Sequence, residues 1–266
     1  MNYIESIILG IVQGLTEFLP ISSSGHLEIF KVVFDSDFST KESLLFTIVL
    51  HFATALSTMV FFRKEISLIF EGLFNSNDKS SKDFSISILI SMIPATLIGF
   101  FFEDTINSFF DGNLIFVGIM LYITAILLYL SDVITSKRNS VNYKNSFIIG
   151  LAQAIAIMPG ISRSGATIAT AVVLGIEREI AARFSFLMVV PLIFGSMLKS
   201  IIDNGGLKFE NFDLITISLG FISAFITGLL ACKWMIALVK KSKLYYFSIY
   251  CFVVGSIIIF YMINGI

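Results

Sequence analysis

A short segment near the start of the chain gathers a carboxylate, three hydroxyls and an imidazole within otherwise apolar sequence. It reads Gln13-Gly-Leu-Thr-Glu17-Phe-Leu-Pro-Ile-Ser22-Ser-Ser-Gly-His26. A serine- and glycine-rich break that opens a helix presents free backbone N–H groups and the positive end of a helix dipole, which together bind anions. The segment therefore predicts an anion site with an acid and a histidine beside it.

The chain repeats this pattern about 140 positions later, where Gly150 corresponds to Gly10. The residues shared by the two copies are Gly10, Gln13, Ile21, Ser22, Ser24 and Gly25 in the first and Gly150, Gln153, Ile161, Ser162, Ser164 and Gly165 in the second. At the tips Ser23 is matched by Arg163, and neither Glu17 nor His26 has a polar counterpart. One copy carries the acid and the imidazole, and the other carries the cation.

These residues predict phosphate chemistry, because the planar donor fork of Arg163 suits a phosphate better than a carboxylate. Glu17 lies one helical turn after Gln13, so the two could hold a hard divalent cation, Mg²⁺ or Ca²⁺, that shares phosphate oxygens. His26 is the expected general acid or base, and Ser23 the expected nucleophile or substrate contact. The expected substrate-binding residues are Ser22, Ser24, Gly25, Ser162, Ser164 and Gly165.

Simpler structural roles compete with these assignments. Glu17 and Arg163 could form an ion pair that only locks the two segments together, and Ser22 or Ser24 could be a helix N-cap. Gln13 and Gln153 are better explained as interhelical hydrogen-bonding residues than as ligands. His51, which lies within an apolar segment, is expected to be a packed and hydrogen-bonded histidine.

The composition indicates a membrane protein. Of the 266 residues, 56% are hydrophobic and 14% charged, with a mean hydropathy of +0.90, whereas soluble proteins carry about 25% charged residues. We expect one integral membrane domain over residues 1–266. The net charge of −1 argues against a nucleic-acid partner.

Hydropathy predicts an all-α fold with six transmembrane helices and two re-entrant hairpins. The six spans cover 44–62, 84–102, 114–130, 185–202, 213–232 and 245–264, and the hairpins cover 4–19 with 24–34 and 147–158 with 166–176. The second arm of each hairpin has about 11 residues and reaches about 16 Å, too short to cross a bilayer. The odd number of crossings in the first half makes the second half an inverted repeat, about 1–131 against 146–266.

Charge predicts the orientation of these segments. With both termini outside, the loops at 63–83, 131–146, 176–184 and 232–244 face the cytoplasm and hold 13 of the 18 basic residues. The two Ser-Gly tips then enter from opposite faces and can meet near the midplane. Many secondary transporters share this plan, so transport of a phosphorylated lipid by a flippase or transporter is the alternative to phosphate chemistry.

The chain resembles the bacterial undecaprenyl-diphosphatase family of the bacitracin-resistance type. The resemblance rests on the segment from Gln13 to His26, on Pro159-Gly-Ile-Ser-Arg163-Ser-Gly-Ala-Thr, and on Arg183-Phe-Ser-Phe-Leu. It implies hydrolysis of undecaprenyl diphosphate on the extracytoplasmic side, recycling of the peptidoglycan lipid carrier, a divalent cation and reduced sensitivity to bacitracin.

The same resemblance places functional residues at Glu17, at Ser22 to His26 and at Ser162 to Gly165. Some members of the family have a second glutamate where this chain has Gln13, so Glu17 must carry most of any cation binding here. The expected location is the bacterial inner membrane, and the expected partners are the lipid substrate and membrane lipid, with a homodimer left open. A lipid phosphatase of the phosphatidic-acid type is disfavoured, because only His51 remains as its nucleophile.

Overall fold

The computed structural model describes residues 2–34, 40–74, 79–109, 113–134, 139–203, 213–241 and 243–264. Within these ranges the secondary structure is helical, apart from one isolated bridge between Asn139 and Ile176. The helices are α1 Tyr3–Phe18, α2 Ser23–Val33, α3 Thr40–Phe61, α4 Arg63–Phe74, α5 Lys79–Phe101, α6 Glu103–Ser108, α7 Leu114–Val133, α8 Tyr143–Ile155, α9 Arg163–Val173, α10 Arg178–Asp203, α11 Leu214–Lys241 and α12 Tyr245–Asn264. The predicted all-α class is confirmed.

Five of these helices, α5, α7, α10, α11 and α12, are long and apolar enough to cross a membrane. A sixth span exists if α3 and α4, bent by 79° at their junction, are taken together. Large apolar side chains lie on the outer surface of the bundle, where Phe100, Trp234 and Phe260 are 65%, 65% and 67% exposed. Such surfaces are favourable in lipid and costly in water.

Two segments predicted as loops are largely helical. Helix α4 fills most of the predicted loop 63–83, and α10 begins at Arg178 rather than near 185. Ion pairs stabilise the start of α10, because Arg178 lies 2.5 Å from Asp132 and Arg183 lies 2.8 Å from Glu179. Hydropathy detects only the apolar part of a helix and therefore does not predict these polar helical turns.

Besides the short α6, the remaining four helices form two broken pairs, α1 with α2 and α8 with α9, and the members of each pair contact each other. Helix α1 packs chiefly on α11, and α8 packs on α5. Glycines permit these close contacts: a Cβ on Gly10 would meet the backbone of Gly220, and one on Gly150 would meet the backbone of Ser91. The arms of both pairs are therefore fixed against long helices of the other half of the chain.

An apolar shell surrounds the breaks in these pairs. Phe18, Val117, Leu121, Ile168 and Phe186 belong to the largest cluster of buried side chains and are at most 2% exposed. The rings of Phe18 and Phe186 meet edge to face, with centroids 5.4 Å apart. Dense packing of this kind fixes side-chain positions, so the polar residues at the breaks have a rigid support.

Candidate active site

The first tip is the break between α1 and α2, where the chain turns over residues 19–22. Ser22 adopts φ 71°, in the left-handed region that non-glycine residues rarely occupy. Its Oγ caps α2 by accepting a hydrogen bond of 3.2 Å from the backbone N–H of Gly25. Ser23 is thereby the first residue of α2, and its hydroxyl donates to Glu17 Oε2 at 2.7 Å.

Glu17 lies in the last turn of α1 and is 6% exposed. Gln13, one turn earlier and fully buried, donates from Nε2 to the same oxygen, Glu17 Oε2, at 3.0 Å. The carbonyl oxygen of this amide, Gln13 Oε1, is buried and has no hydrogen-bond partner among the described residues. The first tip therefore holds a carboxylate, a hydroxyl and an unpaired amide oxygen close together.

The second tip is the longer break between α8 and α9. Gly160 supplies the positive φ, at +97°, so that Ser162 keeps the ordinary φ of −73° for an N-cap. Ser162 Oγ accepts from the Gly165 N–H at 3.0 Å. Thr124 on α7 fixes the turn, because its hydroxyl accepts from the Ser162 N–H at 2.9 Å and donates to the Gly160 carbonyl at 3.1 Å.

The two tips are in direct contact. Arg163, the first residue of α9, donates from Nη2 to Glu17 Oε1. Ser164 Oγ donates to the Leu19 carbonyl at 3.1 Å. A Cβ on Gly25 would lie 3.2 Å from Gly160 Cα, so the absence of a side chain permits this approach. An acid and a guanidinium 146 residues apart in the chain are thus brought together inside the bundle.

The predicted substrate-binding residues line both sides of this contact. Ser22 and Ser24 hydroxyls lie 3.3 Å apart, as do those of Ser162 and Ser164. Ser22 and Ser162 are both helix N-caps, so Ser22 does have the capping role that the sequence allowed for it. The side chains of the tip residues Ser23 and Arg163 both donate hydrogen bonds to the Glu17 carboxylate.

His26 is buried but does not contact Ser23 in the described hydrogen-bond network. Its Nδ1 lies 2.8 Å from the Ser22 carbonyl and must donate to it, and its Nε2 lies 2.8 Å from the Tyr250 hydroxyl. The His26 and Tyr250 rings are stacked, with centroids 5.7 Å apart. The basic group in contact with the Ser23 hydroxyl is instead Glu17.

Several residues of the site carry no local signal in the sequence. Tyr250 and Thr124 lie in apolar helices far from both motifs, and only the folded chain brings them to the tips. His51 is expected to be a packed and hydrogen-bonded histidine, and its Nδ1 does lie 2.9 Å from the Thr47 carbonyl. The structure places its Nε2 3.8 Å from Glu17 Oε2.

The expected interhelical bonds of the two glutamines are not formed by the described residues. Gln13 bonds within its own helix, to Glu17, and both side-chain polar atoms of the buried Gln153 lack partners there. Gln13 and Gln153 occupy equivalent positions in the repeat, and they lie on the buried faces of α1 and α8, respectively.

A small cavity adjoins the ion pair. It has a volume of about 10 Å³, and its lining combines polar residues, among them Glu17, Thr58 and Arg163, with apolar ones, among them Phe18 and Val189. This is room for about one water molecule. A phosphate group can enter only if the tips separate or if it replaces Glu17 on the Arg163 fork.

Comparisons with known proteins identify the family of this chain. Residues 6–257 match the family model described as bacitracin resistance protein BacA. The undecaprenyl-diphosphatase of Christiangramia forsetii is 56% identical over 255 residues, which cover 96% of each chain. That of Parabacteroides distasonis is 48% identical, over 97% of this chain and 98% of its own. That of Methanococcus vannielii is 41% identical, over 97% of this chain and 100% of its own. The chain belongs to the BacA family of bacitracin resistance proteins.

Proposed function

We propose that this protein is a membrane phosphatase that hydrolyses undecaprenyl diphosphate to undecaprenyl phosphate and phosphate. The observation that carries the proposal is the contact between Arg163 and Glu17, with Ser23 on the same carboxylate. The relatives bearing the name undecaprenyl-diphosphatase cover nearly the whole chain, which supports the same reaction here. Recycling of the lipid carrier and bacitracin resistance follow from this activity.

Arg163 is the proposed phosphate-binding residue. Its fork is held by Glu17 in this structure, so the carboxylate occupies the place that a phosphate would take. When a diphosphate binds, its oxygens compete for the same N–H groups, and the guanidinium moves from the carboxylate to the substrate. The guanidinium, already positioned beside the phosphoryl oxygens, then stabilises the negative charge that develops on them.

Ser23 is the proposed nucleophile and Glu17 the base in contact with it. Release of Arg163 leaves the carboxylate free to take the proton of the hydroxyl that now donates to it at 2.7 Å. Ser23 Oγ forms a bond to the terminal phosphorus, and the bridging P–O bond breaks to release the lipid monophosphate. Water then attacks the phosphorus of the phosphoserine, the P–Oγ bond breaks to release phosphate, and Glu17 returns the proton to Ser23. His26 remains a predicted acid or base, and its Nε2 lies within hydrogen-bond distance of the Tyr250 hydroxyl.

Glu17 and Gln13 would hold the divalent cation. Among the described residues no group of three or more His, Cys, Asp or Glu side chains could bind a metal ion by itself. The buried and unpaired Gln13 Oε1 beside a carboxylate nevertheless suits a hard cation that takes its other ligands from phosphate and water. When bound, Mg²⁺ or Ca²⁺ would supply charge neutralisation of the diphosphate.

We further infer that the broken pairs are re-entrant hairpins in an inverted repeat. Helices α2 and α9 have 11 residues each, so each spans about 16 Å, half of a hydrocarbon core. The swapped packing of α1 on α11 and α8 on α5 is what two inverted halves, about 1–131 and 146–266, require. The charge asymmetry supports both termini and the substrate entrance on the extracytoplasmic side of the inner membrane.

The test is phosphate release from a polyprenyl diphosphate by protein purified in detergent. We expect multiple turnovers in Mg²⁺ or Ca²⁺ and loss of activity with EDTA. The alternative, a lipid transporter without hydrolysis, predicts transbilayer movement of labelled lipid in proteoliposomes and no free phosphate. That outcome would exclude the proposed reaction while leaving the fold unchanged.

A further inference from the structure

His51 on α3 faces the candidate site with a defined tautomer. Its Nδ1 lies 2.9 Å from the Thr47 carbonyl, which can only accept, so Nδ1 carries a proton. In the neutral ring Nε2 then presents a lone pair. His51 Nε2 lies 3.8 Å from Glu17 Oε2, which is also an acceptor.

A neutral Nε2 and a carboxylate oxygen cannot hydrogen-bond to each other, whereas a cation between them would bind both. A histidine whose second ring nitrogen donates to a backbone carbonyl is the arrangement found behind most metal-binding histidines. Ligand bonds of about 2.1 Å each can join two atoms as much as about 4 Å apart across one cation. The separation of 3.8 Å lies within that range.

Gln13 supplies a third donor. Its Oε1 is buried without a partner among the described residues, and the same amide touches Glu17 Oε2 through Nε2 at 3.0 Å. An unsatisfied buried acceptor is costly, and coordination of a cation would remove that cost. The three side chains come from α1 and α3, two helices that pack together.

We propose that His51 Nε2, Glu17 Oε2 and Gln13 Oε1 form one divalent-cation site, in which the imidazole replaces the second carboxylate that Gln13 does not provide. Imidazole is a poor ligand for Mg²⁺ and Ca²⁺ and suits first-row transition metals better, and among these Mn²⁺ also takes carboxylate and amide oxygens. The inference rests on the proposed function only in assigning this cation to the active site.

The experiment is Mn²⁺ binding to the purified full chain, with no polyhistidine tag and no substrate, followed by pulsed EPR. This method detects coupling between Mn²⁺ and the ¹⁴N of a directly bound imidazole. The chain has only two histidines, so a coupling must come from His51 or His26. We expect the wild type and His26→Gln to show the coupling, and His51→Gln to lose it with a fall in Mn²⁺ affinity of about 10-fold or more.

A wild-type spectrum without imidazole coupling would overturn the site whatever the variants do, and would favour a protonated His51 paired with Glu17. A coupling that survives His51→Gln would also overturn it. Displacement of Mn²⁺ by an equal concentration of Mg²⁺ would overturn the metal preference. Phosphate release measured on the same wild-type sample is the separate test: a sample that shows the coupling but does not hydrolyse the lipid contradicts the function and not the cation site.

Discussion

The two tips of this protein share a backbone design and differ in the chemistry that they carry. In both, a serine caps the N–H of a glycine three residues later, at 3.2 Å for Ser22 and 3.0 Å for Ser162. The first tip places its positive φ on Ser22 itself, and the second places it on Gly160. The repeated residues therefore build the turns, and the unmatched residues, Glu17 and Ser23 against Arg163, meet between them.

This comparison separates two kinds of variant. Changes at unmatched residues should remove catalysis and leave the fold intact. Changes at the repeated packing positions should lower stability and leave the chemistry of the folded enzyme intact.

The largest effect is expected for Ser23→Ala. If Ser23 forms the covalent intermediate, kcat for phosphate release should fall by about 10³-fold or more. Ser131→Ala is the control, because the Ser131 hydroxyl donates within its own helix, α7, to the Leu128 carbonyl. Near-normal turnover by Ser23→Ala would assign the attack to water.

Arg163→Lys should follow, with a loss of about 10²- to 10³-fold in kcat/KM. Lysine keeps the charge and loses the planar fork that we expect to bind the phosphoryl oxygens. Arg178→Lys is the matched control, because its salt bridge with Asp132 at 2.5 Å lies away from the tips. Equal losses in the two variants would contradict a specific role for the second tip.

A smaller effect is expected for Tyr250→Phe. The Tyr250 hydroxyl holds His26 Nε2 at 2.8 Å, and one neutral hydrogen bond contributes about 0.5–1.5 kcal/mol, so kcat/KM should change by about 2- to 10-fold. Tyr122→Phe removes a similar bond of 3.0 Å between α7 and α12, to Ser256, and should not alter activity. If Tyr250→Phe has no effect on the rate or its pH profile, His26 has no part in proton transfer through Tyr250.

The smallest effect on catalysis is expected for Gly10→Ala and Gly150→Ala. Each added methyl would meet the backbone of a packed helix. Overpacking of this kind costs about 1–3 kcal/mol, which lowers Tm by several degrees. Gly99→Ala, where no atom lies within 4 Å of the added Cβ, is the control and should leave Tm unchanged or raise it. Unchanged unfolding of all three proteins would show that the arms are not tightly packed.

The long apolar helices and both breaks were predictable, because hydropathy and helix-breaking residues are local properties of the sequence. Helices α1 and α2 begin and end within one residue of their predicted limits, whereas α9 begins three residues early, at Arg163, because Ser162 caps it. Hydropathy does not predict the polar helix α4, because charged residues at its start lower the mean hydropathy around Ile66 and Ile69, the apolar residues that pack against the core.

The candidate site was predictable only where its residues belong to the two motifs. Glu17 and Arg163 could be paired from the repeat and the parity of crossings. His51 and Tyr250 could not, because they reach the tips through the packing of α3 and α12 around them. Their contribution depends on the rotation of each helix about its axis, which an almost uniformly apolar sequence does not define.

The central claim is that Glu17 of one tip and Arg163 of the other act as one unit, and a double-mutant cycle tests it most directly. Phosphate release would be measured for the wild type, Glu17→Gln, Arg163→Gln and the double variant, with Tm recorded for each. Residues that act together give a double variant scarcely worse than either single one. We predict that result, with each single loss about 10²-fold or more. Losses that multiply, or a single variant with normal activity, would contradict the account.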